Sequence, residues 1–175
     1  ALIFTEKEKK QFVNENPNAK KFIRTYYGSK DIINNSPRYC LWLLNASPKE
    51  IKEIPAITER INLVKSMRLK SAKKTTQEAA STPSIFCEIR QPQSDYLAIP
   101  EVSSENRLYI PIAFLDANTI AANSLYTVAN ATIFEFGLMN SLMHVIFVRN
   151  VSGRLKSDFT YSSTLVYNNF PFPEN

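Results

Sequence analysis

The sequence predicts an α+β fold, a single domain in which helices flank a twisted mixed or antiparallel sheet. Three observations carry that reading. A helix start signal at residues 47–50 is followed by apolar residues at helical spacing. After Thr82-Pro83 the pattern changes to short β-branched or aromatic runs separated by Pro, Ser, Asn and Asp. The 175 residues, 44% of them hydrophobic and 11% aromatic, suffice to build one core.

In chain order, residues 5–24 put Glu6 and Glu8 near a helix start and mix lysines with Phe12, Val13, Phe22 and Ile23. This predicts a short helix and then a turn at Asn16-Pro17-Asn18. Residues 38–44, compact and apolar between Pro37 and Pro48, predict a buried strand. Ser47-Pro48-Lys49-Glu50 supplies an N-cap, a first-turn proline and a capping-box glutamate. Ile54, Ile57, Ile61 and Val64 then form one apolar stripe, which Pro55 must either kink or begin. Strands are expected at 84–90, 96–99, 108–115 and 131–136, a helix at 138–148 and a last strand at 164–167. Trp42, Phe86, Tyr109 and Phe136 lie in these runs and are expected in the core.

Several chemistries are excluded by what the chain lacks. Only Gly28, Gly137 and Gly153 are glycine, too few for a phosphate-cradling loop, so no cofactor-binding site is expected. His144 is the only histidine and no Cys or carboxylate cluster has ligand spacing, so no metal site is expected. His144 reads as a packed or capping residue, since no serine or cysteine is placed to make a nucleophile pair with it. Cys40 and Cys87 each sit in an apolar run and read as free, buried thiols. Glu8-Lys9-Lys10 and Glu50-Ile51-Lys52 match half of a nuclease motif but lie on charge-rich, helix-like segments, where solvated surface explains them better. Asn169-Phe170-Pro171-Phe172 resembles a methyltransferase Asn-Pro-Pro-Tyr loop without its second-position proline. No catalytic residue is therefore assigned. No stretch approaches the roughly 20 apolar residues of a spanning helix, which predicts a cytoplasmic protein without a membrane partner. The missing initiator Met is read as the sign of a fragment.

What remains is recognition. The net charge of +5 points toward a polyanion. The densest basic run, residues 60–74, holds Arg60, Lys65, Arg68, Lys70, Lys73 and Lys74 with no acidic residue. It reads as phosphate contact or as a solvated helix face. Arg149, Arg154, Lys156 and Asp158 follow the predicted helix at 138–148, amid hydroxyl side chains. A lysine can donate to guanine N7 or O6 while a carboxylate accepts from the N4 amino group of the paired cytosine. If residues 156–158 are extended, Lys156 and Asp158 emerge on one face and can address one base pair; otherwise they are two exposed loop charges. Arg90 reads equally as a DNA contact or as a cap on a strand end.

Five blocks then carry a resemblance: residues 28–34 with 38–43, Phe86-Cys87-Glu88-Ile89-Arg90-Gln91-Pro92, Arg107-Leu108-Tyr109-Ile110-Pro111, Gly153-Arg154-Leu155-Lys156-Ser157-Asp158, and Tyr161-Ser162 with residues 166–171. In order and spacing, over nearly the whole chain, they resemble the target-recognition region of MmeI-like DNA adenine methyltransferases, a bacterial group that includes fused restriction-modification enzymes. The resemblance implies that a separate methyltransferase domain of the parent chain binds S-adenosylmethionine and flips the adenine, while this region selects the sequence on double-stranded DNA. It also implies that Lys156 and Asp158 form a base-reading pair favouring guanine, that Thr160 is a third specificity position, and that Ser124 lies on a partner loop. Phosphates would be held by Arg149, Arg154, Arg90, Arg68, Lys70, Lys73 and Lys74. The rival readings are a fragment that keeps some methyltransferase activity and a basic module that binds acidic protein.

Overall fold

The computed structural model describes residues 2–173. The chain runs β1 (Ile3–Phe4), α1 (Glu6–Glu15), β2 (Ile23–Tyr27), α2 (Ser29–Asn34), β3 (Arg38–Leu41), α3 (Pro48–Lys52), α4 (Pro55–Leu69) and α5 (Lys74–Glu78). It continues through β4 (Tyr96–Pro100), β5 (Val102–Ser103), β6 (Ala113–Leu115), β7 (Ile120–Ala121), β8 (Leu125–Ala129), α6 (Ile133–Met139), α7 (Leu142–Val151), β9 (Gly153–Leu155) and β10 (Asp158–Thr160). The class is mixed α and β. Its strands are two to five residues long and are shared among small sheets rather than gathered into one large one.

Two compact units emerge: residues up to Tyr26 with Pro37–Ile89, and Tyr27–Ser36 with the residues from Arg90 onward. One of the boundaries, at Tyr26, falls inside β2.

In the first unit β3 lies between β1 and β2, antiparallel to both, with Ile3 opposite Cys40 and Thr25 opposite Tyr39. Helix α1 starts where Thr5 and Glu8 cap each other's backbone amides, and α3 where Ser47 and Glu50 do the same. Ile54 is extended and Pro55 is the first residue of α4, so the proline opens a new helix instead of kinking a long one. The expected stripe does face the core: Ile54, Ile57 and Val64 are buried against Phe4, Phe12 and Leu41, with Ile61 packed at its margin. Residues 84–90, expected as a strand, have no regular structure. Phe86 stacks between Tyr26 and Trp42, 5.8 Å from each ring, and side-chain stacking of this kind does not require a paired backbone. Cys87 is exposed, contrary to expectation, whereas Cys40 is buried and its thiol is pushed up to about 12 by desolvation.

In the second unit β4 is flanked by β6 and β8, antiparallel to both, and all five of its residues are buried. A second sheet has the order β5-β10-β9. Residues 131–136, expected as a strand, instead contain the start of α6. Thr132 accepts from the Phe134 amide and Glu135 accepts from the Thr132 amide at 2.7 Å, a capping box that outweighs the β-propensity of Ile133 and Phe134. Only Ala113–Leu115 of the run at 108–115 is strand, and Leu108 and Tyr109 are exposed. Residues 164–167 form turns leading into a short 3-10 helix at Tyr167–Asn169 rather than a strand. The core gathers Leu97, Ile99, Met139, Val148, Phe159 and Val166.

His144 on α7 is fully buried, packed edge-on to Phe170 at 4.9 Å, with its Nε2 hydrogen-bonded to the Tyr161 hydroxyl at 3.0 Å. Desolvation lowers its pKa to about 4. Folded His144 therefore stays neutral where the unfolded chain takes up a proton. Its contribution is fully present above the unfolded value near 6.5 and is lost as pH falls toward 4. We expect stability to drop by about 1.5 kcal/mol between pH 6.5 and pH 5, above the range where carboxylates titrate. Urea unfolding across that window should show this slope in the native chain and lose it in His144→Gln. An equal slope in the variant would exclude His144 as the source.

Candidate nucleic-acid interface

β9 and β10 form a hairpin closed by the two-residue turn Lys156-Ser157, with Leu155 opposite Asp158, Arg154 opposite Phe159 and Gly153 opposite Thr160. Residues 156–158 are thus not one extended segment, which corrects the expectation. Lys156 sits at the apex with φ 58°, a left-handed conformation that costs a residue with a Cβ about 1–2 kcal/mol. Strand alternation instead puts Asp158 and Thr160 on one face, with Phe159 between them on the other. Phe159 is buried in the core of the second unit, Asp158 and Thr160 are half-buried, and Lys156 is exposed. Gly153 accommodates its partner's present rotamer, since a Cβ there would lie 2.8 Å from the Thr160 hydroxyl oxygen, which would have to turn aside.

Charge around the turn is divided unequally. Among the described residues neither the Lys156 ammonium nor the Asp158 carboxylate has a hydrogen-bond or ion-pair partner. Arg154 by contrast is engaged: its Nη1 donates to the Ser157 carbonyl at 2.9 Å and lies 3.5 Å from Glu105, and its guanidinium covers the Phe159 ring at 4.0 Å. Arg149, exposed at the end of α7, donates to the Arg107 carbonyl at 3.3 Å. Ser124 is turned inward on α2. Its hydroxyl accepts from the Ser29 amide at 3.2 Å, and its carbonyl accepts from the Ser29 hydroxyl at 2.5 Å. Arg90 is exposed just after the irregular segment at 84–89. The Asn169 side-chain amide donates to the carbonyls of Thr164 and Leu165.

The basic run at 60–74, in the first unit, separates by residue type. Arg68, expected as a phosphate ligand, is buried at 5% exposure and donates to the carbonyls of Ala79, Thr82 and Ile85 at 2.7, 2.9 and 2.7 Å. It ties α4 to the segment after α5 and is corrected to a structural role. Arg60 packs over the Phe4 and Phe12 rings at 4.1 and 4.9 Å. Lys65, Lys70, Lys73 and Lys74 are exposed. A guanidinium can satisfy several acceptors in a fixed plane, whereas an ammonium on a flexible stem stays hydrated. Glu8 and Glu50, the acids of the two half-motifs, both serve as capping residues. The Glu50 carboxyl is held at about 2 by Lys21 and by Ser47.

Sequence reading missed the hairpin at 153–160, because runs of three residues are too short to show alternation. The available signal was Gly153 and the paired polar residues around Lys156-Ser157, a turn without the usual glycine or asparagine.

Comparison with known proteins supplies the context. A family model described as "MmeI, target recognition domain" matches residues 1–174. DNA methyltransferase A of Bacillus subtilis (strain 168) is 41% identical over 173 residues, which are 99% of this chain and 20% of that protein. The type IIL restriction-modification enzyme MmeI, solved in complex with DNA, superposes with a TM-score of 0.93 at 47% identity, over 99% of this chain and 23% of that one. The chain thus spans about a fifth of the length of these relatives.

The division of the basic run is testable. Arg68→Met strands three carbonyls and should lower stability by about 3 kcal/mol in urea unfolding. Lys70→Gln with Lys73→Gln should stay within about 0.5 kcal/mol of the native chain. An Arg68 variant as stable as the lysine variants would return Arg68 to the surface.

Proposed function

The chain belongs to the family of MmeI target recognition domains, and from that premise we propose that its two compact units act as one domain selecting a short sequence on double-stranded DNA. The β9–β10 hairpin enters the major groove, which is wide enough to admit a two-stranded ribbon. At its tip Lys156 donates to guanine O6 or N7, Asp158 accepts from the N4 amino group of the paired cytosine, and Thr160 lies next along the same strand face. Lys70, Lys73, Lys74, Arg149 and Arg90 contact phosphates and fix the approach without reading sequence. The domain contributes no catalytic group. Methyl transfer to DNA belongs to a methyltransferase domain elsewhere in a larger chain, in keeping with the names of the relatives; S-adenosylmethionine as donor and an adenine amino group as acceptor are what the sequence resemblance implies.

One observation carries this reading. On a hairpin anchored in the core by Phe159, the ammonium of Lys156 and the carboxylate of Asp158 lack partners among the described residues, while Arg154 on the same hairpin is engaged. An opposite-charge pair presented to solvent in this way matches the donor and acceptor edges of a G·C pair.

The test exchanges the chemistry at fixed backbone. In the full-length chain, Lys156→Glu combined with Asp158→Arg should redirect the preferred base at one position and leave the others, with each wrong pair costing about 1–3 kcal/mol. Selection from a randomised duplex pool reads this directly, and an unchanged preference would sink the assignment. Neutralising Lys70, Lys73 and Lys74 should weaken all sequences alike and flatten the salt dependence by about one unit for each phosphate no longer neutralised. A loss restricted to the preferred site would speak against phosphate contact.

A further inference from the structure

We propose that Arg154 is the positioning residue of the reading hairpin and not one of its phosphate ligands: its guanidinium fixes the carbonyl of Ser157, and so the turn that carries Lys156 and Asp158. The inference rests on the reading above.

The geometry is that of a brace. Register puts Arg154 opposite Phe159, on the face of the hairpin that turns away from Asp158 and Thr160. From there its guanidinium joins three places at once. It donates to the Ser157 carbonyl at 2.9 Å, approaches Glu105 at 3.5 Å and lies 4.0 Å over the ring of Phe159, itself 4% exposed. The turn needs such support. Lys156 holds φ 58°, and a residue with a Cβ in that region relaxes toward other conformations unless its surroundings fix it. Neither Lys156 nor Asp158 has a side-chain partner that could do so among the described residues. The neighbouring residues 105–107 also receive Arg149, whose guanidinium reaches the Arg107 carbonyl, so the far end of the brace is itself held. A planar guanidinium can lie flat on a ring while its in-plane N–H groups meet a carbonyl and a carboxylate, an arrangement the compact ammonium of lysine does not reproduce.

The consequence is a separation of tasks. Residues that read the base are not the residues that hold the turn, so the readers can be exchanged while the backbone keeps its place.

The test compares Arg154→Lys, Arg154→Gln and Glu105→Gln in the full-length chain, by fluorescence anisotropy on four duplexes that differ at the base pair assigned to Lys156 and Asp158, across a salt series. A brace predicts that both Arg154 variants lose discrimination at that pair by about tenfold, the scale of one base contact. Selectivity elsewhere and the salt slope should be unchanged. Glu105→Gln should move discrimination the same way by less. A phosphate ligand predicts the reverse pattern. Arg154→Lys would then stay near the native chain, Arg154→Gln would weaken all duplexes alike with a slope shallower by about one unit, and Glu105→Gln would tighten binding to every duplex. That pattern, or no effect of Arg154→Lys, overturns the proposal. If Arg154→Gln fails to fold, Arg154→Lys and Glu105→Gln still separate the two. Failure of the underlying reading is distinct: there the double exchange at 156 and 158 leaves the base preference untouched. If that exchange redirects the preference while Arg154→Lys keeps native selectivity, only the brace is refuted.

Discussion

Burial of Phe159 between Asp158 and Thr160 is the constraint on which the rest depends. A strand sends successive side chains to opposite faces, so fixing one ring in the core of the second unit commits its two neighbours to the other side. Slipping the hairpin by one residue would put Asp158 or Thr160 into that core and Phe159 into water. Burial of a phenylalanine is worth about 1.5–3 kcal/mol, and an unpaired buried carboxylate costs more still. The orientation of the face that carries Asp158 and Thr160 is therefore set by hydrophobic packing, although none of the groups proposed to meet DNA is hydrophobic.

Arginine and lysine divide the labour in both units. Arg68 holds three carbonyls, Arg60 covers two rings, and Arg154 joins a carbonyl, a carboxylate and a ring, while Lys70, Lys73, Lys74 and Lys156 project into solvent. Formal charge treats them alike. Donor geometry does not, because a guanidinium has five donors in a rigid plane and an ammonium three on a flexible stem.

Much of the fold could be read from the residues where local signals agreed with one another. Ser47-Pro48-Lys49-Glu50 and the stripe beginning at Ile54 became α3 and α4, and Tyr96–Pro100 became a buried central strand. Reading failed where two signals competed and the stronger was the shorter. At Thr132 and Glu135 a capping box four residues long overrode a β-branched and aromatic run. At 84–90 the aromatic content reflected a stack built by Phe86 with Tyr26 and Trp42, which needs no strand. The candidate site was legible as a set of polar residues but not as a shape. Arg68 and Ser124 could be seen as polar, yet the carbonyls and amides that engage them lie 11 to 95 residues away in sequence. Only the folded chain shows which partners they have.

Gly153 bears on how far this surface can be altered. With no side chain at 153, the space beside position 160 is set by the glycine backbone, and the Thr160 hydroxyl occupies ground that any Cβ would contest. A Cβ at 153 would oblige the Thr160 hydroxyl to turn aside, so the glycine leaves Thr160 the rotamer it now holds. The conformation open to a side chain on one strand is thus set by an atom missing from the other.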